Sequence, residues 1–193
     1  MKLYLIRHGQ SEANRKGVHA GWAQFPLTDQ GKAEALAAGR LLEGLAFDKV
    51  YTTDLLRAIQ TGELAMPGVA KEQTPLLREI SVGALAGKSS NQCIAEYGEN
   101  YMVQKAAYDF TAFGGENYEM MAHRVRQFLD MAESGDHACV AAFCHEGAVR
   151  TALDLVMGVR VNRKTMRCDN GSVTVFEHIN GQWRLCQWNV TAP

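Results

Sequence analysis

No stretch of this sequence is long and apolar enough to cross a bilayer. The longest early apolar run, Leu3 to Ile6, falls far short of the roughly 20 residues a spanning helix needs, and it is too short for a secretory h-region. Basic runs are missing as well. Twenty Lys and Arg stand against 21 Asp and Glu, a net charge of −1, which removes the electrostatic ground for nucleic-acid binding. The five cysteines are odd in number and scattered, with no C-x-x-C pair and no histidine-linked spacing, so neither a disulfide framework nor a metal site is expected. Reduced thiols place the chain in a cytoplasm. Internal repeats, low-complexity tracts and linkers are also lacking. What remains is 193 residues, 47% apolar and 21% charged, enough for one globular domain over 1–193 around one core.

Along the chain, strand patterns alternate with helix patterns. After the first strand, Thr28 or Asp29 can cap a helix whose apolar positions Ala33, Leu36, Ala37, Leu41 and Leu45 keep helical spacing. Asp48 to Thr52 reads as a strand. Asp54 is placed to cap a helix over Leu55 to Met66, which Pro67-Gly68 stops. A short strand is expected near Glu72 to Leu76, and a glycine-spaced loop from Leu77 to Gly87. Residues 88–113 are polar with interspersed aromatics and no clean periodicity. Gly114-Gly115 opens a helix from Glu116 to Glu133, Ala138 to Cys144 has the continuous apolar character of a buried central strand, and a helix follows from Glu146 to Met157. Asn180-Gly181 is a hairpin signal between strands near Ser172 to His178 and Trp183 to Trp188. This order predicts an α/β fold, a three-layer αβα sandwich whose mostly parallel sheet carries an antiparallel edge strand.

Chemistry concentrates where strands end. The first strand stops in Arg7-His8-Gly9, with Asn14 six residues beyond the histidine. Arg7 offers a planar fork for a phosphate or carboxylate, His8 titrates near neutrality, and Gly9 lets backbone approach a ligand. Arg57 falls in the first turn of a helix, whose N-terminus itself attracts anions. The buried strand at 138–144 ends in His145-Glu146-Gly147, and Glu79 sits in the glycine-spaced loop. Each has an ordinary structural alternative: a surface arginine, a helix cap, a solvated carboxylate. Two strand-end histidines, each followed within two residues by glycine, set this chain apart.

Together these stretches resemble the histidine phosphatase superfamily, which includes the cofactor-dependent phosphoglycerate mutases. The resemblance runs from residue 3 to about 175, in the family's order. It implies a phosphoglycerate mutase-like fold in which His8 is the nucleophile. Arg7, Arg57, His145 and Asn14 would bind the transferring phosphoryl group, and Glu79 would donate the proton to the leaving oxygen. Like-charge repulsion against a bound phosphate keeps such a carboxyl protonated. The resemblance assigns Gly114-Gly115-Glu116-Asn117 a structural place behind the pocket. It implies no cofactor and no metal, a small phosphate ester as the only partner, and no membrane contact; the oligomeric state stays open, with a homodimer among the options.

This chain departs from the pattern in two places. Leu85-Ala86-Gly87 lacks the acid many relatives carry in that loop, which weakens loop support. Cys144 and Glu146 replace the usual Ser or Thr and a glycine around the second histidine. Glu146 is expected to favour a less anionic or partly cationic substrate. The same segment also reads as C-x-x-G-x-x-R-T, the spacing of cysteine-dependent phosphatases, with Cys144 as nucleophile. That reading leaves Arg7-His8-Gly9, Arg57 and Glu79 unused.

Hydrolysis is favoured over mutase activity by the lid, residues 88–113. It contains only Lys88 and Lys105 as cations, whereas the family's mutases carry an arginine pair in an insertion near here. Tyr97, Tyr101, Tyr108, Phe110 and Phe113 supply aromatic surface or core. The expected activity is hydrolysis of a small phosphorylated metabolite through phosphohistidine, with ribazole phosphates, sugar phosphates and a broad range of monoesters as substrate options. A phosphoglycerate mutase is the alternative, and a catalytically silent binding protein a third.

Overall fold

The computed structural model describes residues 1–163 and 165–192. The strands are β1 (Lys2–Arg7), β2 (Lys49–Thr52), β3 (Glu72–Gln73), β4 (Cys139–Cys144), β5 (Val173–Ile179) and β6 (Gln182–Val190). Among the described residues they form a six-stranded sheet in the order β3-β2-β4-β1-β5-β6. The first four of that order run parallel; β5 is antiparallel to β1, and β6 to β5. At the β5–β6 turn Asn180 and Gly181 both have positive φ, 51° and 75°, the pair of left-handed residues a two-residue hairpin loop requires.

The helices are α1 (Glu12–Lys16), α2 (Asp29–Leu42), α3 (Leu56–Ala65), α4 (Ser90–Ala107), α5 (Tyr118–Ser134) and α6 (Glu146–Met157). Side chains alternate between the faces of a strand, and this alternation sorts the core into two. Leu3, Leu5, Val140, Ala142 and Phe176 pack with Val125, Phe128 and Leu129 of α5 and with Val149 and Leu153 of α6. Ile6, Val50, Ala141, Phe143 and Val175 face the other way, onto Ala38 and Leu42 of α2 and Ala65 of α3. Each fully buried large apolar side chain contributes on the order of 2 kcal/mol. The result is the three-layer αβα sandwich with an antiparallel edge.

Several local boundaries differ from expectation. Thr28, not Asp29, caps α2 by accepting from the Gly31 N–H at 3.1 Å, and the helix stops at Leu42 rather than reaching Leu45. Asp54 does not cap α3. The N-cap is Leu55, with no side-chain acceptor, because the Asp54 carboxylate is taken by Arg78 in a two-pronged ion pair (Nε–Oδ1 2.6 Å). A charge-assisted pair of that kind outcompetes a single cap hydrogen bond. α5 begins at Tyr118 instead of Glu116, since the Asn117 side chain accepts from the Met120 N–H at 2.9 Å. The third strand shrinks to two residues. The segment 88–113 contains α4, and its periodicity is broken because Gly98 (φ 57°, ψ −134°) interrupts the helix.

Candidate active site

Strand register brings the two histidines together. β1 and β4 are parallel with Arg7 opposite Cys144, and the His8 N–H donates to the Cys144 carbonyl at 3.0 Å. The residue following each strand end is therefore an imidazole at the same level of the sheet, and the ring centroids of His8 and His145 lie 5.1 Å apart. The neighbouring parallel strand supplies a third group. The Thr53 N–H donates to Phe143 O at 3.1 Å, and the Thr53 hydroxyl meets His145 Nε2 at 2.8 Å. All three lie beyond the carboxyl ends of parallel strands, where open α/β sheets place ligands.

His8 is held in one tautomer. Its Nδ1 lies 2.6 Å from the carbonyl of Gly9, an acceptor only, so Nδ1 carries the proton and Nε2 the lone pair. Arg57 Nε donates to that Nε2 at 3.2 Å. Asn170 steadies the backbone by donating to His8 O at 3.0 Å, and the Thr61 hydroxyl accepts from the Gly9 N–H. A Cβ on Gly9 would collide with the carbonyl of Gly31, so glycine is what lets this turn pack. Burial, and then the charge of Arg57, hold both His8 and His145 well below the usual histidine range, so both rings are neutral at pH 7. His145 Nδ1 is buried with no hydrogen-bond partner.

The two arginines are fixed differently. Arg57, 1% exposed, donates to the carbonyls of Ala23 (3.0 Å) and Gly21 (2.9 Å). Burial pushes its pKa down to about 10, which leaves it cationic at neutral pH. Arg7 donates to the carbonyl of Cys168 and pairs with Glu146 at 3.2 Å. Asn14 lines the same cavity; its side-chain oxygen accepts from the Ser11 N–H and hydroxyl in a capping box that begins α1. Thus Arg7, His8, Asn14, Arg57 and Glu79 all line one cavity of about 410 Å³, and His145 stands against the His8 ring.

Glu79 reaches the cavity from the loop between β3 and α4. Its carboxylate accepts from the Ile80 N–H at 2.8 Å and from the Gly147 N–H, at the start of α6, at 3.1 Å. A Cβ on Gly147 would strike that carboxylate. The loop is pinned from behind by Glu116 and by Arg124, which the sequence reading did not single out. Arg124 of α5 donates to the carbonyls of Leu76, Arg78 and Glu79 and pairs with Glu116 at 2.9 Å. Glu116 in turn accepts from the Ser81 N–H, which gives the Gly114–Asn117 stretch its structural place. Trp22 Nε1 donates to Glu79 O at 2.7 Å.

The outer wall departs from expectation. Lys88 is turned to Glu96 (2.6 Å), so the lid gives the cavity one cation, Lys105. A second comes from Arg163, in the irregular loop after α6, where no periodicity or motif marks it. Tyr101 is core, whereas Tyr108 and Phe110 line the cavity. Glu146 does not act as an uncompensated negative charge, because Arg7 and Arg150 (2.8 Å) both pair with it. A bias toward cationic substrates therefore does not follow from it.

Cys144 is fully buried, packed in the α5–α6 side of the core and outside the cavity lining. Burial pushes its thiol far above the usual range, the opposite of what a thiolate nucleophile needs. The Cys144→Ser protein is expected to keep phosphate release within a few-fold of wild type; a loss of several orders of magnitude would reinstate the cysteine mechanism.

Known proteins resemble this chain in sequence and in fold. The family model described as histidine phosphatase superfamily (branch 1) matches residues 3–191. A 2,3-bisphosphoglycerate-dependent phosphoglycerate mutase of Xanthobacter autotrophicus is 35% identical over 164 residues, 78% of each chain. One from Azorhizobium caulinodans is 36% identical over 168 residues, 80% of each. Among solved structures, a putative alpha-ribazole-5'-P phosphatase of Escherichia coli K-12 superposes with a TM-score of 0.90 at 26% identity, over 100% of this chain and 97% of that one. The match spans every strand end described above, from the Arg7-His8-Gly9 turn to the last hairpin, and the chain belongs to the histidine phosphatase superfamily.

Proposed function

We propose that this protein is a metal-independent phosphate monoester hydrolase working through a phosphohistidine on His8. The observation that carries this is the tautomer of His8. Its Nδ1 proton is committed to Gly9 O, which leaves Nε2 unprotonated, accepting from Arg57 Nε, at a cavity His8 shares with Arg7, Arg57 and Glu79.

In the first step Nε2 of His8 attacks phosphorus and the P–O bond to the leaving group breaks. The electron pair goes to the leaving oxygen, which takes the proton of the Glu79 carboxyl. Arg7, Arg57, His145 and Asn14 stabilise charge spreading over the other phosphoryl oxygens, each worth on the order of 3 kcal/mol or roughly 10²-fold. In the second step water attacks phosphorus, gives its proton to Glu79, and the P–N pair returns to Nε2. Guanidinium and imidazole groups supply the positive charge, so the scheme needs no metal ion.

Water is favoured as the acceptor by the single lid cation at the cavity and by the whole-length likeness to a phosphatase structure. Phosphoglycerate mutase activity is the second reading, favoured by the names of the more identical relatives. A phosphate-release screen over sugar phosphates, nucleotides, phosphoglycerates and ribazole phosphate, with the His8→Ala protein as blank, tests the proposal. Release from several monoesters is expected. Interconversion of 2- and 3-phosphoglycerate faster than release would assign the mutase instead.

A further inference from the structure

Two carboxylates line the cavity, Glu79 and Glu146, and they are held in different ways. Glu79 is fixed by two backbone N–H groups, those of Ile80 and Gly147. Glu146, the first residue of α6, has guanidinium groups for its side-chain partners among the described residues. Its Oε2 pairs with Arg7 Nη2 at 3.2 Å, and its Oε1 accepts from Arg150 Nε at 2.8 Å. Arg150 stands four residues further along the same helix and on the same face, so that contact is set within α6. The contact to Arg7 bridges two elements. The Glu146 side chain is 38% exposed against 5% for Arg150; the anchor is buried and the carboxylate is free to turn.

Arg7 has one end left for an anion. Its Nη1 donates to the carbonyl of Cys168, and its Nε is buried without a hydrogen-bond partner. A phosphoryl oxygen bound by Arg7 therefore takes Nη2, which Glu146 already holds. A carboxylate and a phosphate dianion at one donor repel each other. Moving Oε2 off Arg7 leaves Oε1 on Arg150, so Glu146 can release Arg7 without stranding a charge.

We propose that Glu146 is an internal competitor for Arg7. It gives up that guanidinium to the phosphoryl group of the substrate and takes it back from inorganic phosphate, which weakens phosphate binding and speeds departure of the product. Glu146 moves no proton and forms no bond in the reaction. The role rests on the phosphatase reading above.

The test is a calorimetric titration of inorganic phosphate into wild type, Glu146→Gln, Arg150→Met and the double variant. Glutamine keeps the size and an oxygen for Arg150 Nε but drops the charge. Its phosphate Kd should be roughly tenfold tighter than that of wild type, and phosphate should inhibit p-nitrophenyl phosphate hydrolysis more strongly in step. Arg150→Met leaves Glu146 to Arg7 alone, so phosphate should bind roughly threefold more weakly. In the Glu146→Gln background the same change should have little effect, whereas charges acting only through space would shift affinity equally in both backgrounds and overturn the proposal. If Arg150→Met does not fold, Arg7→Met takes its place in the cycle, and there the gain from Glu146→Gln should vanish; a gain that persists without Arg7 overturns the proposal. So does an unchanged or weaker phosphate affinity in Glu146→Gln, the result expected if Glu146 steadies Arg7 for phosphate. With p-nitrophenyl phosphate hydrolysed and that affinity unchanged, the competitor falls and the phosphatase stands. Tighter phosphate binding in a protein that hydrolyses no monoester leaves the competitor and strikes the phosphatase.

Discussion

Alanine at position 8 abolishes phosphate release from every monoester the wild-type protein accepts, by on the order of 10⁵-fold, the scale on which removal of a covalent nucleophile is felt. The expectation follows from how little else in the cavity could replace it. His145 lies beside it, but its Nε2 is engaged by Thr53 and no carbonyl fixes its tautomer as Gly9 O fixes that of His8; His19, which lines the cavity, has its Nε2 taken by the Tyr101 hydroxyl at 2.7 Å. Acid-labile phosphoprotein, trapped after mixing wild type with substrate, should be absent from the variant. The pH profile adds a second check. Burial lowers the pKa of His8, so its Nε2 stays unprotonated well below pH 6.5, and kcat/KM should show no acid limb from this residue near 6.5. The sign for stability is the same. An unfolded chain binds protons here before the folded one does, so the contribution is fully present above about pH 6.5 and is lost as pH falls toward the folded value. Undiminished hydrolysis by the alanine protein would remove the mechanism at its first step.

The strand ends were legible in the sequence because a parallel sheet leaves a one-dimensional trace. Leu3–Ile6 and Ala138–Cys144 are apolar runs that stop at a histidine, and register alone then sets His8 beside His145. Glu79 and Arg57 were singled out by the resemblance to the histidine phosphatase superfamily, because a glycine-spaced loop and a strand-to-helix junction are by themselves equally places for a solvated carboxylate and a surface arginine. The supports of these residues were not. Arg124 lies on an amphipathic helix like any exposed arginine, and only the fold reveals that it gathers the carbonyls of Leu76, Arg78 and Glu79. Arg163 sits in a loop, where position depends on a distant anchor, Asp154. Asp54 shows the same limit from the other side. Its local preference for a helix cap lost to a partner 24 residues away, a competition no local pattern records. The helix in the lid was masked by Gly98, which resets the phase of the apolar positions on either side of it.

The Glu79→Gln protein separates the two halves of the catalytic cycle. Amide in place of acid removes the proton donor, so esters with poor leaving groups, such as glycerol 3-phosphate, should lose roughly 10²- to 10⁴-fold in kcat. An aryl ester such as p-nitrophenyl phosphate needs no such help in the first step, because nitrophenolate leaves without a proton. Its phosphoryl transfer to His8 should stay fast. The second step then stalls, since no carboxylate remains to take the proton of the attacking water. Rapid mixing should show a burst of nitrophenolate equal to the enzyme present, followed by a slow steady rate, with phosphohistidine accumulating. Glutamine keeps one oxygen to accept from either Ile80 or Gly147, whereas glutamate accepts from both, so the loop loses one hydrogen bond and a modest part of its order. That structural loss acts on aryl and alkyl esters alike. The burst does not depend on it, and equal losses for both ester classes with no burst would show that Glu79 holds the loop and moves no proton.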